Sequence, residues 1–555
     1  MKKRAWLTAG LISLSLIAGC GGSGASATTG AEAPAGTEAG STSEVQQGRS
    51  GGVKIDGLET VYGKTKESAK DTFNIAMYTD AGTFIPYKAS PSTTALASSF
   101  VLERLGLFDS NQEVVCTLAE SYEYSEDGNT LIIHLRKGVL FNDGTEMKAS
   151  DVVYSYQNVF YGTSIAAQFQ TYVDFDNIKA TGDYTVELPL TTPVPYAHEI
   201  LVQSYVFSEA YMEKMGDRAG VDEIVGTGPY VVEEYVSGDH VTLKKNESYW
   251  DQSNPPRLET VNVRFIAEAS VALIEMEKGN IDFIFAPTAT EVDSVLAGNV
   301  EGAKVIECDS INTHNLIFNN SNTATADIRV RQAIGYAIDL EAINEVVFNG
   351  IGYNSTSLIA KDHWAHNTEL DANPLYVYNP EKAKELLKEA GYESGLTLKW
   401  VGDSSANHTA EFEVIQSYLS AVGIEIDFQN YDRATASETI KNTEDWSLTI
   451  LDMGMSGEPY GSLAATMNDV EPAKNTMKVM GLPELQEYTD LLNETRMIRD
   501  FNERALSYQK AMKIWMEGCY NFPIHDLVET YVASENLEGL VRSSLYCVFN
   551  YCYFD

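Results

Sequence analysis

What this chain lacks narrows it first. Beyond its opening residues, no run of about eighteen apolar side chains occurs, so no later segment is long enough to cross a bilayer as a helix. Cationic charge is scarce: 39 Lys and Arg stand against 79 Asp and Glu, a formal net charge of −40. Nucleic acid and an anionic membrane surface would both repel such a body, which argues against either as a partner. Cysteine is sparse, at six. No C-x-x-C occurs and no Cys/His group has zinc spacing, so no metal site is expected. The chain also has no G-x-S-x-G and no H-E-x-x-H, and "HEILV" at His198 stops one residue short of a second histidine. "GLETVYGKT" at Gly57 carries one residue too many for a phosphate-binding loop. With eight scattered histidines and no activated nucleophile, neither a catalytic residue nor a cofactor is expected.

What is present begins at the N-terminus. Lys2, Lys3 and Arg4 precede an apolar run from Ala5 to Ile17, the pattern of a secretory signal too short to stay in a bilayer. Leu16, Ile17, Ala18, Gly19 and Cys20 resemble a bacterial lipobox, in which the cysteine is acylated and becomes the new N-terminus. From Gly21 to about Ser50 the sequence is rich in Gly, Ser, Ala, Thr and Glu. Such a segment cannot bury enough surface to offset its ordering entropy, and a flexible tether is expected. The body should therefore stand on the extracytoplasmic face of the cell membrane, held by lipid on Cys20. The remaining cysteines (116, 308, 519, 547 and 552) are odd in number. Cys547 and Cys552 either close a short disulfide or remain buried thiols.

Strand and helix signals alternate through the body, as in α/β lobes. "TLIIHLRKGVLF", Thr130 to Phe141, is strand-like between two turn signals. "NPEKAKELLKEAGY" reads as a helix capped by Asn379, with Pro380 in its first turn. Ala383, Leu386, Leu387 and Ala390 form its apolar stripe, and Gly391 stops it. "ADIRVRQAIGYAIDLEAINEVV" reads as another, capped by Asp327, and "RALSYQKAMKIWMEGC" as a late one.

"LAESYEYSEDGNTLIIHLRKGVLFNDGTEMKASDVVYSY", Leu118 to Tyr156, closely resembles the signature of family 5 extracellular solute-binding proteins, the peptide and nickel receptors of ABC importers. Tyr122 stands where that family has Trp, and Glu146 where it has Pro. "GTGPYVVEEYVSGDHVTLKKNESYW" from Gly226, "ALIEMEKGNIDF" from Ala272, "IRVRQAIGYAIDLEAI" and "YNPEKAKELLKEAGY" follow in the family's order. The resemblance implies an α/β, two-lobed, periplasmic-binding-protein-like fold (class II, large peptide-receptor type) with an extra domain in the first lobe. Ahead of it, the residues themselves are read as signal peptide and lipobox over 1–20 and as tether over 21–70. Lobe one spans 71–313 with the extra domain at about 93–220, lobe two spans 314–514, and 515–555 returns to lobe one. Crossovers are expected near Thr313 and Ile514. Asp143 and Gly144 make a turn and Arg331 and Asp339 sit on a helix, none of them a ligand contact.

Two segments match the family's cleft-lining backbone. "YTDAGTFIPY" contributes Tyr78, Thr79, Asp80, Gly82 and Thr83. "LDMGMSGEPYGSL" contributes Asp452, Met453, Gly454, Met455, Ser456, Glu458 and Tyr460. In peptide-binding members such segments hold an extended ligand by main-chain hydrogen bonds. For Met453, Met455 and Tyr460 the alternative is plain packing. Asp80, Asp452 and Glu458 are the candidate partners for a protonated amine. Tyr460 and Met467 also match the nickel-chelate branch, but no histidine lies between His408 and His525, and no arginine follows Pro195 before Arg218. The expected function is a monomeric, lipid-anchored receptor that captures short peptides or peptide-like solutes in an interlobe cleft and delivers them to ABC permease subunits. A nickel or metal-chelate receptor is the alternative. A non-transport receptor, an adhesin or a hydrolase ranks below both.

Overall fold

Alternation of apolar and polar residues builds a small sheet with one covered face. In Thr130–Leu135, Leu131, Ile133 and Leu135 are buried while Ile132 and His134 stay half-exposed, the period of two that a one-sided strand requires. This strand ends at Leu135, earlier than the sequence pattern runs, and pairs antiparallel with Ala119–Tyr124 and Thr185–Pro189. Lys179–Gly182 completes the four strands.

The computed structural model describes residues 68–555 except 81, 89–95, 110–111, 164, 222, 404–405, 456, 544–545 and 550. The signal, the lipobox at Cys20 and most of the tether lie outside the described residues, as does Ser456. Every described residue belongs to one unit, Val45–Asp555. No helix among the described residues is long and apolar enough to cross a membrane.

A mixed sheet runs through that unit. Its spatial order is Ile424–Tyr431, Leu396–Asp403, Leu448–Gly454, Ala303–Phe318, Asn521–Ser534, Phe283–Ile284, Thr72–Met77, Thr260–Phe265, His240–Lys245 and Tyr230–Val236. The two central strands are the longest, and they pair antiparallel with each other. Their one end, Ala303–Asp309 against Val528–Ser534, continues into the half of the sheet that holds Thr72–Met77. Their other end, from Thr313 onward, continues into the half that holds Leu448–Gly454. Register slips between Asp309 and Thr313 and again between His314 and Asn315, so the ladder bends where it passes from one half to the other. Ile514 lies within the helix Phe501–Glu517.

Each half has its own core. Phe73 meets Phe283 and Phe554 edge-on in the first. Trp400, Phe412 and Phe428 fill the second, the two phenylalanines stacked with ring centres 3.7 Å apart. A third core joins residues 105–206 to residues 455–520 and includes the fully covered Trp515, Tyr508 and Phe160.

The helix Pro380–Glu389 has the cap, stripe and stop that its sequence spells out: Asn379 accepts from the Lys382 N–H at 3.0 Å, Leu387 is buried, and Gly391 takes a φ of +91°. The stretch from Ile328 behaves otherwise. It breaks into two helices, Ile328–Ala337 and Leu340–Val347, because Ile338 is extended and the Asp339 carboxylate caps a new start by accepting from the Ala342 N–H at 3.2 Å. Arg331 is buried, and it donates to the carbonyls of Cys519, Thr325, Ala326 and Gly518 at 2.8 to 2.9 Å, tying this helix to the end of the late one. Cys552 is a free, buried thiol, so the short disulfide with Cys547 does not form.

Candidate functional site

The strand Leu448–Gly454 is laddered to the central strand along its whole length, from Asn312↔Gly454 to Phe318↔Leu448. Its other neighbour, Leu396–Asp403, meets it only at Trp400↔Leu448. From Thr449 onward one edge therefore has no strand against it among the described residues. The first three side chains of this strand are buried, whereas Asp452 and Gly454 are exposed and Met453 is half-buried. Gly454 fits closely: a Cβ there would lie 2.5 Å from the Asn312 Oδ1.

Asp452 gathers a cluster at this edge. Its Oδ1 accepts from the Nε2 of His314 at 3.0 Å and of His408 at 2.8 Å, and Arg433 stands 3.5 Å from its Oδ2. His314 is buried on the central strand, and its Nδ1 lies 2.9 Å from the Oε1 of the fully buried Glu411. The His408 Nδ1 lies 3.1 Å from the Asp403 Oδ1. His408 and Glu411 are three residues apart on the helix Ala406–Ala421, so they share a face. Burial works against a charged ring at His314, but the hydrogen bonds and charges of Asp452 and Glu411 outweigh it and lift its pKa to about 9. Burial likewise opposes ionisation of Asp452, yet the two histidines hold its carboxyl well below the usual range. His525, stacked on Phe348 at 3.7 Å, is the counter-example. Burial and the neighbouring His314 charge push it down to about 3, so it stays neutral.

The other two acids sit differently. Asp80 binds its own turn and a hairpin: it accepts from the Gly82 N–H at 2.8 Å, the Tyr235 hydroxyl at 2.7 Å, the Ser237 hydroxyl at 3.2 Å and the Gly238 N–H at 2.8 Å. Glu458 is buried and accepts from the Arg504 Nε at 3.1 Å and from the Tyr508 hydroxyl. Its N–H donates to the carboxylate of Glu199, itself buried, at 2.9 Å, so this loop docks on the 105–206 segment. A Cβ on Gly457 would lie 2.6 Å from Phe108. Burial raises the pKa of both Glu199 and Glu458, and the Arg504 charge opposes it.

Of the remaining expected residues, Met455 is buried and Tyr460 donates its hydroxyl to Asn493 at 2.9 Å, both inside the third core. Tyr78 is half-buried and donates to Glu291. Thr79 and Gly82 are exposed, and the Thr83 hydroxyl accepts from the Ile85 N–H at 3.1 Å. Sequence reasoning named Asp452 but missed His314, His408, Glu411 and Asp403. His314 and Glu411 are 97 positions apart, and only the His408–Glu411 spacing on a helix carried a local signal.

The model of bacterial extracellular solute-binding proteins, family 5, matches residues 113–471. The dipeptide-binding protein of Escherichia coli K12 is 26% identical over 480 residues, covering 81% of this chain and 86% of that protein. The glutathione-binding protein GsiB of Shigella boydii is 30% identical over 383 residues, 68% of this chain and 72% of its own. Among solved structures, HbpA2 from Haemophilus parasuis superposes with a TM-score of 0.76 at 22% identity, over 87% of this chain and all of that one. That likeness shows the fold: two-lobed, α/β and of the periplasmic-binding type.

Proposed function

Because this chain belongs to the family 5 bacterial extracellular solute-binding proteins, whose members bind solutes for ABC importers, we propose that it captures short peptides or peptide-like amines between its lobes and hands them to a permease. The uncovered main-chain edge from Thr449 to Gly454 carries this reading. An extended ligand adds to such an edge through backbone hydrogen bonds, which gives affinity without demanding particular side chains. Tyr78, Thr79, Gly82 and Thr83 supply the facing backbone, and Met453 lies beside the edge. A protonated amine takes the Oδ2 side of Asp452, the acid whose carboxylate is more than a third exposed. Asp80 and Glu458 are already engaged within the protein. The lobes exchange chain at residues 309–313 and 526–528, so closure bends both central strands together. The relatives point the same way, one binding dipeptides and another glutathione, itself a peptide. The receptor works as a lipid-anchored monomer through Cys20.

Calorimetry with di- to pentapeptides, and with nickel plus histidine, tests the assignment. Peptide binding of about −8 to −10 kcal/mol is expected, weakened at least about tenfold by Asp452→Asn and unchanged by Glu458→Gln. Binding of nickel–histidine with no response to any peptide would overturn it.

A further inference from the structure

We infer that His314, His408 and Asp452 form a binding site for a divalent transition-metal ion, with Glu411 and Asp403 supporting the two rings from behind. The Nε2 atoms of both imidazoles converge on one carboxylate oxygen, at 3.0 and 2.8 Å. Donors sharing one ion at about 2.0–2.2 Å in tetrahedral array stand about 3.4 Å apart, and each Nε2 already lies within about half an ångström of that distance from the Asp452 Oδ1. His314, His408 and Glu411 also each place a donor atom within 4.8 Å of the others. The far nitrogen of each ring faces a carboxylate, His314 Nδ1 to Glu411 at 2.9 Å and His408 Nδ1 to Asp403 at 3.1 Å. At His314 this is the arrangement that fixes a metal-ligating histidine: the outer nitrogen keeps its proton for the carboxylate and the inner one offers its lone pair.

Two further observations point to an occupant. Glu411 is fully buried, and among the described residues its Oε2 has no hydrogen-bond partner; the buried His408 Nδ1 makes none of acceptable geometry there despite its short distance to Asp403. Three carboxylates, Asp403, Glu411 and Asp452, surround two rings, and neutral imidazoles would leave that charge uncompensated. Binding displaces any proton held on the two Nε2 atoms, and the doubly charged ion supplies the compensating charge. Arg433, the cation facing Asp452, is mostly exposed and can swing into water. Imidazole nitrogens select zinc, nickel or cobalt over the oxygen-seeking calcium and magnesium. Asp452 is the most exposed of these side chains, at 36%, so the open coordination position lies on its side. The ion thus sits directly under the uncovered strand edge and fixes the orientation of Asp452 there. It is a resident ion, and the inference stands whatever solute the cleft takes.

The test titrates zinc chloride into the purified, chelator-stripped full chain with no peptide present, followed by calorimetry, and repeats it with cobalt(II) followed by visible absorption. One equivalent is expected, with tetrahedral-type cobalt bands and no displacement by calcium or magnesium. His408→Gln and Asp452→Asn should each weaken zinc binding by about 100-fold or more, while His240→Ala, a change on a distant hairpin, leaves it intact. Circular dichroism checks that each variant is folded, and Asp452→Asn keeps shape and exposure. Absence of zinc binding in the wild type overturns the inference, as does binding that survives both variants or yields to calcium. The peptide titrations report separately, so failure of one assignment is distinguishable from failure of the other.

Discussion

Arg504→Met should convert a quiet buried contact into a steep pH dependence. Arg504 is buried between two buried carboxyls: it donates from Nε to Glu458 at 3.1 Å, and its charge also reaches Glu199. Its Nη1 donates to the Ile498 carbonyl at 2.9 Å, and the guanidinium lies over the Trp364 ring at 5.4 Å, so the cation is fixed in place. Removing one partner of a buried ion pair costs about 3–5 kcal/mol, because the remaining charge has neither water nor counterion. Both carboxyls already have folded pKa values above their unfolded ones. The folded state therefore holds more protons, and the stability this confers is full below the unfolded value near 4.3 and is lost as pH rises through the folded values. Without the arginine those folded values climb further. Each extra proton held by the folded state is worth about 1.4 kcal/mol per pH unit, so lowering pH from 8 to 6 should return roughly 2.7 kcal/mol to the variant. Urea unfolding of ligand-free protein at pH 5, 6, 7 and 8 reads this directly. Glu199→Gln in the same background should recover part of the loss at pH 8 and little at pH 5. A loss in Arg504→Met that is equal at all four pH values would refute the reasoning, since it would mean lost packing alone.

Two other outcomes follow from groups already described. Cys20→Ser should move the protein from the membrane fraction to a soluble pool, read by fractionation and blotting; a variant that still pellets with membranes would rule out the lipid anchor. His314 is raised to about 9 in the folded state, so its contribution is full below its unfolded value near 6.5 and is lost as pH rises through about 9. In chelator, the stability gap between wild type and His314→Gln should therefore narrow between pH 7 and pH 10 in urea titrations, and a gap that widens would contradict the charged-ring assignment.

The parts of this molecule that were legible in its sequence are those whose causes lie within one turn or one strand. The helix Pro380–Glu389 is set by Asn379, Pro380 and an apolar stripe, all inside fourteen letters, and it forms where they place it. The helix from Ile328 shows where local reading stops. Its apolar periodicity runs on through Ile338, but an aspartate is a better cap than an interior helix residue, and Asp339 starts a second helix. Arg331 was legible as a helix residue but not its partners; its four carbonyl acceptors belong to the loop before the helix and to residues 518 and 519.

The same reasoning explains the site. Sequence alone offered three acids for an amine, and none could be ranked, because what separates them is tertiary: Asp80 is bound by a hairpin more than 150 positions away, Glu458 by an arginine and a tyrosine on the late helix, and Asp452 by two histidines. Their partners arrive from strands and helices that meet only when the two long central strands pair. Those strands also join the two halves of the sheet, and His314 sits at their register slip. A group bonded to His314 is therefore tied to the point where the ladder bends, so the proposed ion and the proposed closure of the lobes would act on the same few residues.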